Sequence, residues 1–194
     1  MSWPPELAAG SPLPTIRSTT VLLVRRDGRT CMASDGQVTV GEAVMKSTAV
    51  KVKRAGKGRV LVGFAGGGSD ALALFTRFEA KLEKHSGNLE RAVVELARDW
   101  RTDRALRQLQ AMMIVADRDQ SYLVSGNGDL LQPDPSPEGG VLAIGSGGHY
   151  ALAAARALLR HTALPAPEVA REAMRIAAEI CIYSNDRITI EELA

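Results

Sequence analysis

Two rhythms of apolar and polar positions follow one another along the chain. Thr19-Thr20-Val21-Leu22-Leu23-Val24 is a β-branched, apolar run closed by Asp27-Gly28, which predicts a strand beginning at Thr19. Thr30 to Ser34, ending at Asp35-Gly36, then Ala49 to Lys53 and Arg59 to Ala65 predict three more strands leading into Gly66-Gly67-Gly68. Several of these runs are continuously apolar, the pattern of sheets covered on both faces. The rhythm then becomes helical. Ser69 is the expected N-cap of a helix that aligns Ala71, Leu74, Phe75, Phe78 and Leu82 and stops at Gly87. A second helix from Asn88 aligns Leu89, Val93, Leu96, Trp100 and Leu106 on one side.

The second half repeats this order. Ala111 to Ala116 and Ser121 to Val124 read as strands, and Gly126-Asn127-Gly128 as a hairpin turn into Leu130-Leu131-Gln132. Pro133 to Gly140 reads as a surface loop and Val141 to Ile144 as another strand. After Gly145-Ser146-Gly147-Gly148, one helix is expected to turn Tyr150, Ala154, Ala157 and Leu158 inward. Beyond Pro165 and Pro167, another is expected to present Val169, Ala173, Ile176 and Ile180. Strands and helix pairs in segregated blocks predict an α+β fold of two stacked sheets between helix layers, a four-layer αββα sandwich.

Composition narrows the class. At 194 residues the chain suits one domain, and 45% hydrophobic with 24% charged residues is ordinary globular composition. No apolar run approaches the roughly 20 residues that span a bilayer. A net charge of +2, with basic residues scattered among acidic ones, gives no footprint for a polyanion. Cys31 and Cys181 form no metal-binding spacing and read as core residues of a protein kept in a reducing cytoplasm. The first 18 residues hold four of the nine prolines, lack either periodicity and lack a secretory apolar stretch. They read as a disordered leader or propeptide, followed by a single domain over residues 19–194.

A threonine hydroxyl is a poor nucleophile without a base. His85, His149 and His161 sit in or beside helices, outside any serine- or cysteine-protease context. The α-amino group of the same threonine can serve, since its pKa of about 7.7–8.0 leaves a neutral fraction near neutrality. That chemistry requires cutting the chain before the threonine, and a strand that starts with Thr19 directly after a structureless extension suits it. Gly63 to Gly68 carries no GxxxxGK[ST] and fits GxGxxG poorly, so nothing in the chain is suited to binding and hydrolysing a nucleotide.

The segments TTVLLVRRDG, SDGQVTVGEAVMK, GFAGGGSDA, LARDWRTDRALRQL, SGNGDLLQP, AIGSGGHYALAAARALL and ICIYSNDRITIEEL, in that order, resemble the peptidase subunits of the two-component ATP-dependent protease HslUV. These are bacterial relatives of proteasome β-subunits, and the resemblance covers roughly residues 19–194. It implies an N-terminal-nucleophile fold and a threonine endopeptidase acting on unfolded polypeptides. Thr19 would be the nucleophile, Lys51 the active-site lysine, Asp35 the carboxylate holding it, Gly66 the oxyanion N–H, and Ser146 a hydrogen-bonding partner near the free amine. It also implies a sodium ion on the main-chain carbonyls of Ala178, Cys181 and Ser184, although the family usually has glycine and threonine at the outer two positions. The implied partners are the AAA+ ATPase HslU and eleven further copies in two stacked hexameric rings. Family members commonly have only a methionine or a short leader before the threonine, so here self-cleavage of the Ser18–Thr19 bond is expected.

Overall fold

The computed structural model describes residues 16–17, 19–104, 106, 109 and 111–193. In chain order the elements are β1 (Ile16–Arg17), β2 (Thr20–Arg26), β3 (Arg29–Ser34), β4 (Val38–Val40), β5 (Ala43–Lys46), β6 (Val52–Ala55) and β7 (Val60–Gly66). Then come α1 (Gly68–Lys84), α2 (Leu89–Thr102), β8 (Ala111–Ala116), β9 (Ser121–Ser125), β10 (Leu130–Leu131), β11 (Gly140–Gly145), α3 (Gly148–His161), α4 (Ala166–Ile180) and β12 (Thr189–Leu193). One antiparallel sheet has the order β11-β2-β3-β12, and a second runs β10-β9-β8-β7-β6.

Strand alternation sorts the apolar runs onto the two faces of each sheet. In β2, Leu22 and Val24 join Cys31 and Ala33 against α3 and α4, whereas Val21 and Leu23 face the other sheet with Met32, Leu61, Ile114 and Ile144. In β7, Val60, Val62 and Phe64 pack beneath α1 and α2 around Trp100 and Phe78. Each sheet is therefore buried on both faces, which is why its strands read as unbroken apolar runs. The result is the expected αββα sandwich. Between the sheets Gly63 sets the spacing: a Cβ there would meet Val21 Cγ1 at 2.6 Å and Met32 Sδ at 2.7 Å.

Several expectations shift. Gly67, not Ser69, is the N-cap of α1, and Ser69 lies inside the helix. The strand expected over residues 49–53 begins at Val52. In α3 the buried positions are Gly148, Ala151, Ala155 and Leu159, while Tyr150 is 43% exposed. Small residues win that face because α3 lies close against α4, whose own buried face includes Ala166, Ala170, Ala173 and Ala177. Ile180, expected inward, is exposed at the end of α4. Two features were not anticipated. The hairpin of β4 and β5 joins β1 in a small third sheet, and β12 closes the edge of the first sheet beside β3.

Of the expected leader, residues 1–18, only Ile16 and Arg17 are described. They pair as β1 with Val40 and Thr39, a backbone interaction that needs no apolar periodicity. Among the described residues no helix is long and apolar enough to cross a membrane.

Candidate active site

Thr19 immediately precedes β2, at the end of the sandwich where β11 and β7 terminate, and is almost fully buried. Its φ of 137° is a conformation that β-branched residues rarely adopt. The carbonyl of Thr19 accepts the Ser146 N–H at 2.9 Å, and Gly145 makes room for it. With φ 90°, Gly145 lies so close that a Cβ would fall 1.8 Å from that oxygen. Loop 145–147 thus grips the backbone of Thr19. Ser146 meets Thr19 through its main chain, and its exposed side chain has no partner among the described residues.

Asp35 follows β3 and is completely buried. One carboxylate oxygen accepts the Lys51 ammonium at 2.7 Å and the Thr20 N–H at 2.7 Å, and the other accepts the Gln37 N–H at 2.9 Å. Lys51, whose side chain is 8% exposed, also donates to the Gln37 carbonyl at 2.6 Å. Burial pulls the Lys51 pKa below its ordinary value, and the Asp35 charge opposes that shift. The ammonium is held by the two acceptors built around it, and Thr20 ties the carboxylate to the strand that starts with Thr19.

A cavity of about 240 Å³ opens beside these groups, lined by Thr19, Lys51 and Gly66 together with Val38, Phe64 and Leu72. Gly66 ends β7 and stands one residue before the N-cap of α1. A larger depression of about 510 Å³, around Arg59, Arg118 and Glu192, shares no residue with it and holds none of the expected chemistry. Thr19, Lys51, Asp35, Gly66 and Ser146 are thus brought together from β2, the loops after β3 and before β6, the end of β7 and the loop before α3. His85 is elsewhere, capping the C-terminus of α1 beside Glu95 in the middle of α2.

Ala178 lies in the last turn of α4, Cys181 caps it and Ser184 follows in the next turn. The carbonyls of Ala178 and Cys181 lie at the helix C-terminus, where main-chain oxygens lack intrahelical donors and carry partial negative charge, the kind of oxygen donor a monovalent cation takes. The Cys181 carbonyl accepts the Ser184 N–H at 3.0 Å and retains a second lone pair. The Ser184 hydroxyl meets that of Thr20, which also accepts the Gly147 N–H at 3.0 Å. This segment therefore touches the back of the Thr19 strand.

Two residues escaped the sequence reading. Gln37 Nε2 donates to the Ile182 carbonyl at 2.8 Å and to Thr39 Oγ1 at 3.0 Å. Asn185 accepts the Gly36 N–H at 3.0 Å and donates to the Ser47 carbonyl at 3.0 Å. Together they bind the segment after α4 to the loop that carries Asp35. Their only trace in the sequence is a polar residue inside each quoted segment, with nothing local to link positions this far apart.

The proteasome subunit family model matches residues 16–193. The ATP-dependent protease subunit HslV of Anaeromyxobacter sp. is 63% identical over 175 residues, covering 90% of this chain and 97% of that relative. The protein of the same name from Pseudothermotoga lettingae is 58% identical over 177 residues, covering 91% and 98%. The crystal structure of eukaryotic HslV from Trypanosoma brucei superposes with a TM-score of 0.85 at 42% identity, covering 90% of this chain and 98% of that one. A Thiobacillus denitrificans protein, BPH, solved in complex with epoxomicin, shares the fold at a TM-score of 0.70 and 25% identity over 90% of this chain and 97% of its own. A family model spanning residues 16–193 and relatives at 58–63% identity over nine-tenths of the chain make it a member of the proteasome subunit family, among the HslV peptidase subunits of ATP-dependent proteases.

Proposed function

We propose that Thr19, once released from Ser18, is the nucleophile of a threonine endopeptidase. The observation that carries this reading is the buried Lys51–Asp35 pair, fixed to Thr20 and opening onto the cavity that Thr19 lines. In the intact chain the α-nitrogen of Thr19 is an amide and cannot act as a base. Attack of its own hydroxyl on the Ser18 carbonyl converts that amide to an ester and frees the amine. Water then hydrolyses the ester and releases residues 1–18. The unusual φ of Thr19 supports cleavage at this bond, since such backbone conformations store about 1–3 kcal/mol.

In the processed enzyme the Thr19 hydroxyl attacks the scissile carbonyl while its amine takes the proton through a water. The Lys51 ammonium lowers the pKa of both groups by its charge, and Asp35 keeps it charged against the pull of burial. The Gly66 N–H faces the developing oxyanion, a preorganised contact worth about 2.7–4 kcal/mol. The Ser146 N–H holds the Thr19 carbonyl and so fixes the backbone that carries the hydroxyl. Ala178, Cys181 and Ser184 would offer their carbonyls to a sodium ion, whose charge would brace the loop behind Thr20.

The substrates are unfolded polypeptides delivered by the AAA+ ATPase HslU, and the subunits form two stacked hexameric rings in the cytoplasm. The HslV names of the relatives support that assignment. Thr19→Ala is expected to abolish peptide hydrolysis and to leave a full-length chain, whereas Thr19→Ser retains both activities. Peptidase activity in Thr19→Ala would overturn the assignment.

A further inference from the structure

The cavity beside Thr19 is reached by two lysines that differ in their commitments. Most of its wall is apolar, formed by Val38, Ala49, Val50, Phe64, Ala71 and Leu72. Lys51 is fully engaged by Asp35 and the Gln37 carbonyl. Lys53 is exposed and, among the described residues, has no carboxylate partner.

Register explains where Lys53 points. It stands opposite Val62, which faces the layer of α1 and α2, so Lys53 lies on the same side of the edge strand β6. There its Nζ sits 4.9 Å from the centre of the Phe75 ring. Phe75 meets Phe64 edge to face at 5.9 Å, and Phe64 is itself part of the cavity wall. An aromatic face engages one side of an ammonium and leaves donors free for another partner.

We propose that Lys53 is a specificity-determining residue that admits an acidic side chain into this otherwise apolar pocket. The inference rests on Thr19 being the nucleophile. A peptide whose scissile carbonyl lies between Thr19 and Gly66 places the side chain before the scissile bond in the cavity those residues line. Medium-sized apolar side chains fill it by burial alone. A carboxylate there would go unpaired without Lys53, at a high desolvation cost. With Lys53, a side chain of glutamate length pairs with the ammonium, while a basic side chain is repelled.

The test uses the processed protein assembled with its ATPase and three fluorogenic peptides that differ only before the scissile bond, in Leu, Glu or Gln. Gln matches Glu in shape, so the Glu:Gln ratio of kcat/KM isolates the charge and cancels any general loss of activity in a variant. A ratio of about tenfold is expected at low salt, falling as salt screens the pair. Lys53→Met brings the ratio to about one or below, and Lys53→Arg keeps it well above one. A wild-type ratio near one, or an unchanged ratio in Lys53→Met, with the Leu peptide still cleaved, overturns the role of Lys53 and leaves the nucleophile standing. If none of the three peptides is cleaved, the assignment of Thr19 falls, and this inference with it.

Discussion

Replacing Asp35 by Asn removes a charge from a site that the solvent does not reach. At 2.7 Å and an effective dielectric constant of about 20, Lys51 and Asp35 attract by about 6 kcal/mol. Taking each ion out of water costs several kcal/mol, so the intact pair contributes little net stability. Breaking it is another matter. In Asp35→Asn the ammonium keeps the Gln37 carbonyl as its one described acceptor, and the amide group must sit against donors from Thr20, Gln37 or Lys51. The expected loss is about 3–5 kcal/mol, and Lys51→Met, which strands the carboxylate instead, should cost a similar amount. The double variant should cost less than the sum by about 1–3 kcal/mol, because neither charge is then left alone. Urea denaturation at fixed protomer concentration measures all four proteins, and peptide hydrolysis should be lost in the three variants. Strict additivity, or single losses below about 1 kcal/mol, would refute the picture of a buried, mutually dependent pair.

Gly63→Ala should destabilise the protein by about 1–3 kcal/mol in the same assay, since the new methyl meets side chains from β2 and β3 and forces the sheets apart. Asn185→Ala removes bonds to Gly36 and Ser47. It should cost about 1–3 kcal/mol and slow peptide hydrolysis, and unchanged kinetics would show that the segment after α4 does not position Asp35. Burial pushes the Cys31 thiol up to about 12 from 9.0, with Glu192 adding to the shift. The unfolded chain therefore releases this proton first, and stability falls as pH rises from 9.0 towards about 12. Cys31→Val should show a shallower decline in its urea midpoint over that window, and the native thiol should resist thiol reagents until unfolding.

How legible each part was depends on how local its cause is. α1 and α2 could be read because Leu74, Phe78 and Leu82, and then Leu89, Val93 and Leu96, recur at helical spacing over several turns. The helix expected from Asn88 does begin there, with the Asn88 side chain accepting the Arg91 N–H. The face of α3 was misread because periodicity favours the larger residues, whereas close packing on α4 selected Gly148, Ala151 and Ala155. β12 and the β4–β5 hairpin are short, and their pairing is decided by partners elsewhere in the chain: β12 lies against β3, and β4 against β1. The site follows the same rule. Thr19 was visible as the start of a strand, but Asp35 and Lys51 could be joined only through the family resemblance. Gln37 and Asn185 act through contacts with residues far along the chain, and nothing near either one announces them.

The most direct test is the identity of the first residue in active protein. N-terminal sequencing and intact mass of a preparation that hydrolyses peptides should show a chain beginning at Thr19, with Thr19→Ala remaining uncut. An active preparation whose every chain retains residues 1–18 would contradict the account, because the α-nitrogen of Thr19 would still be an amide.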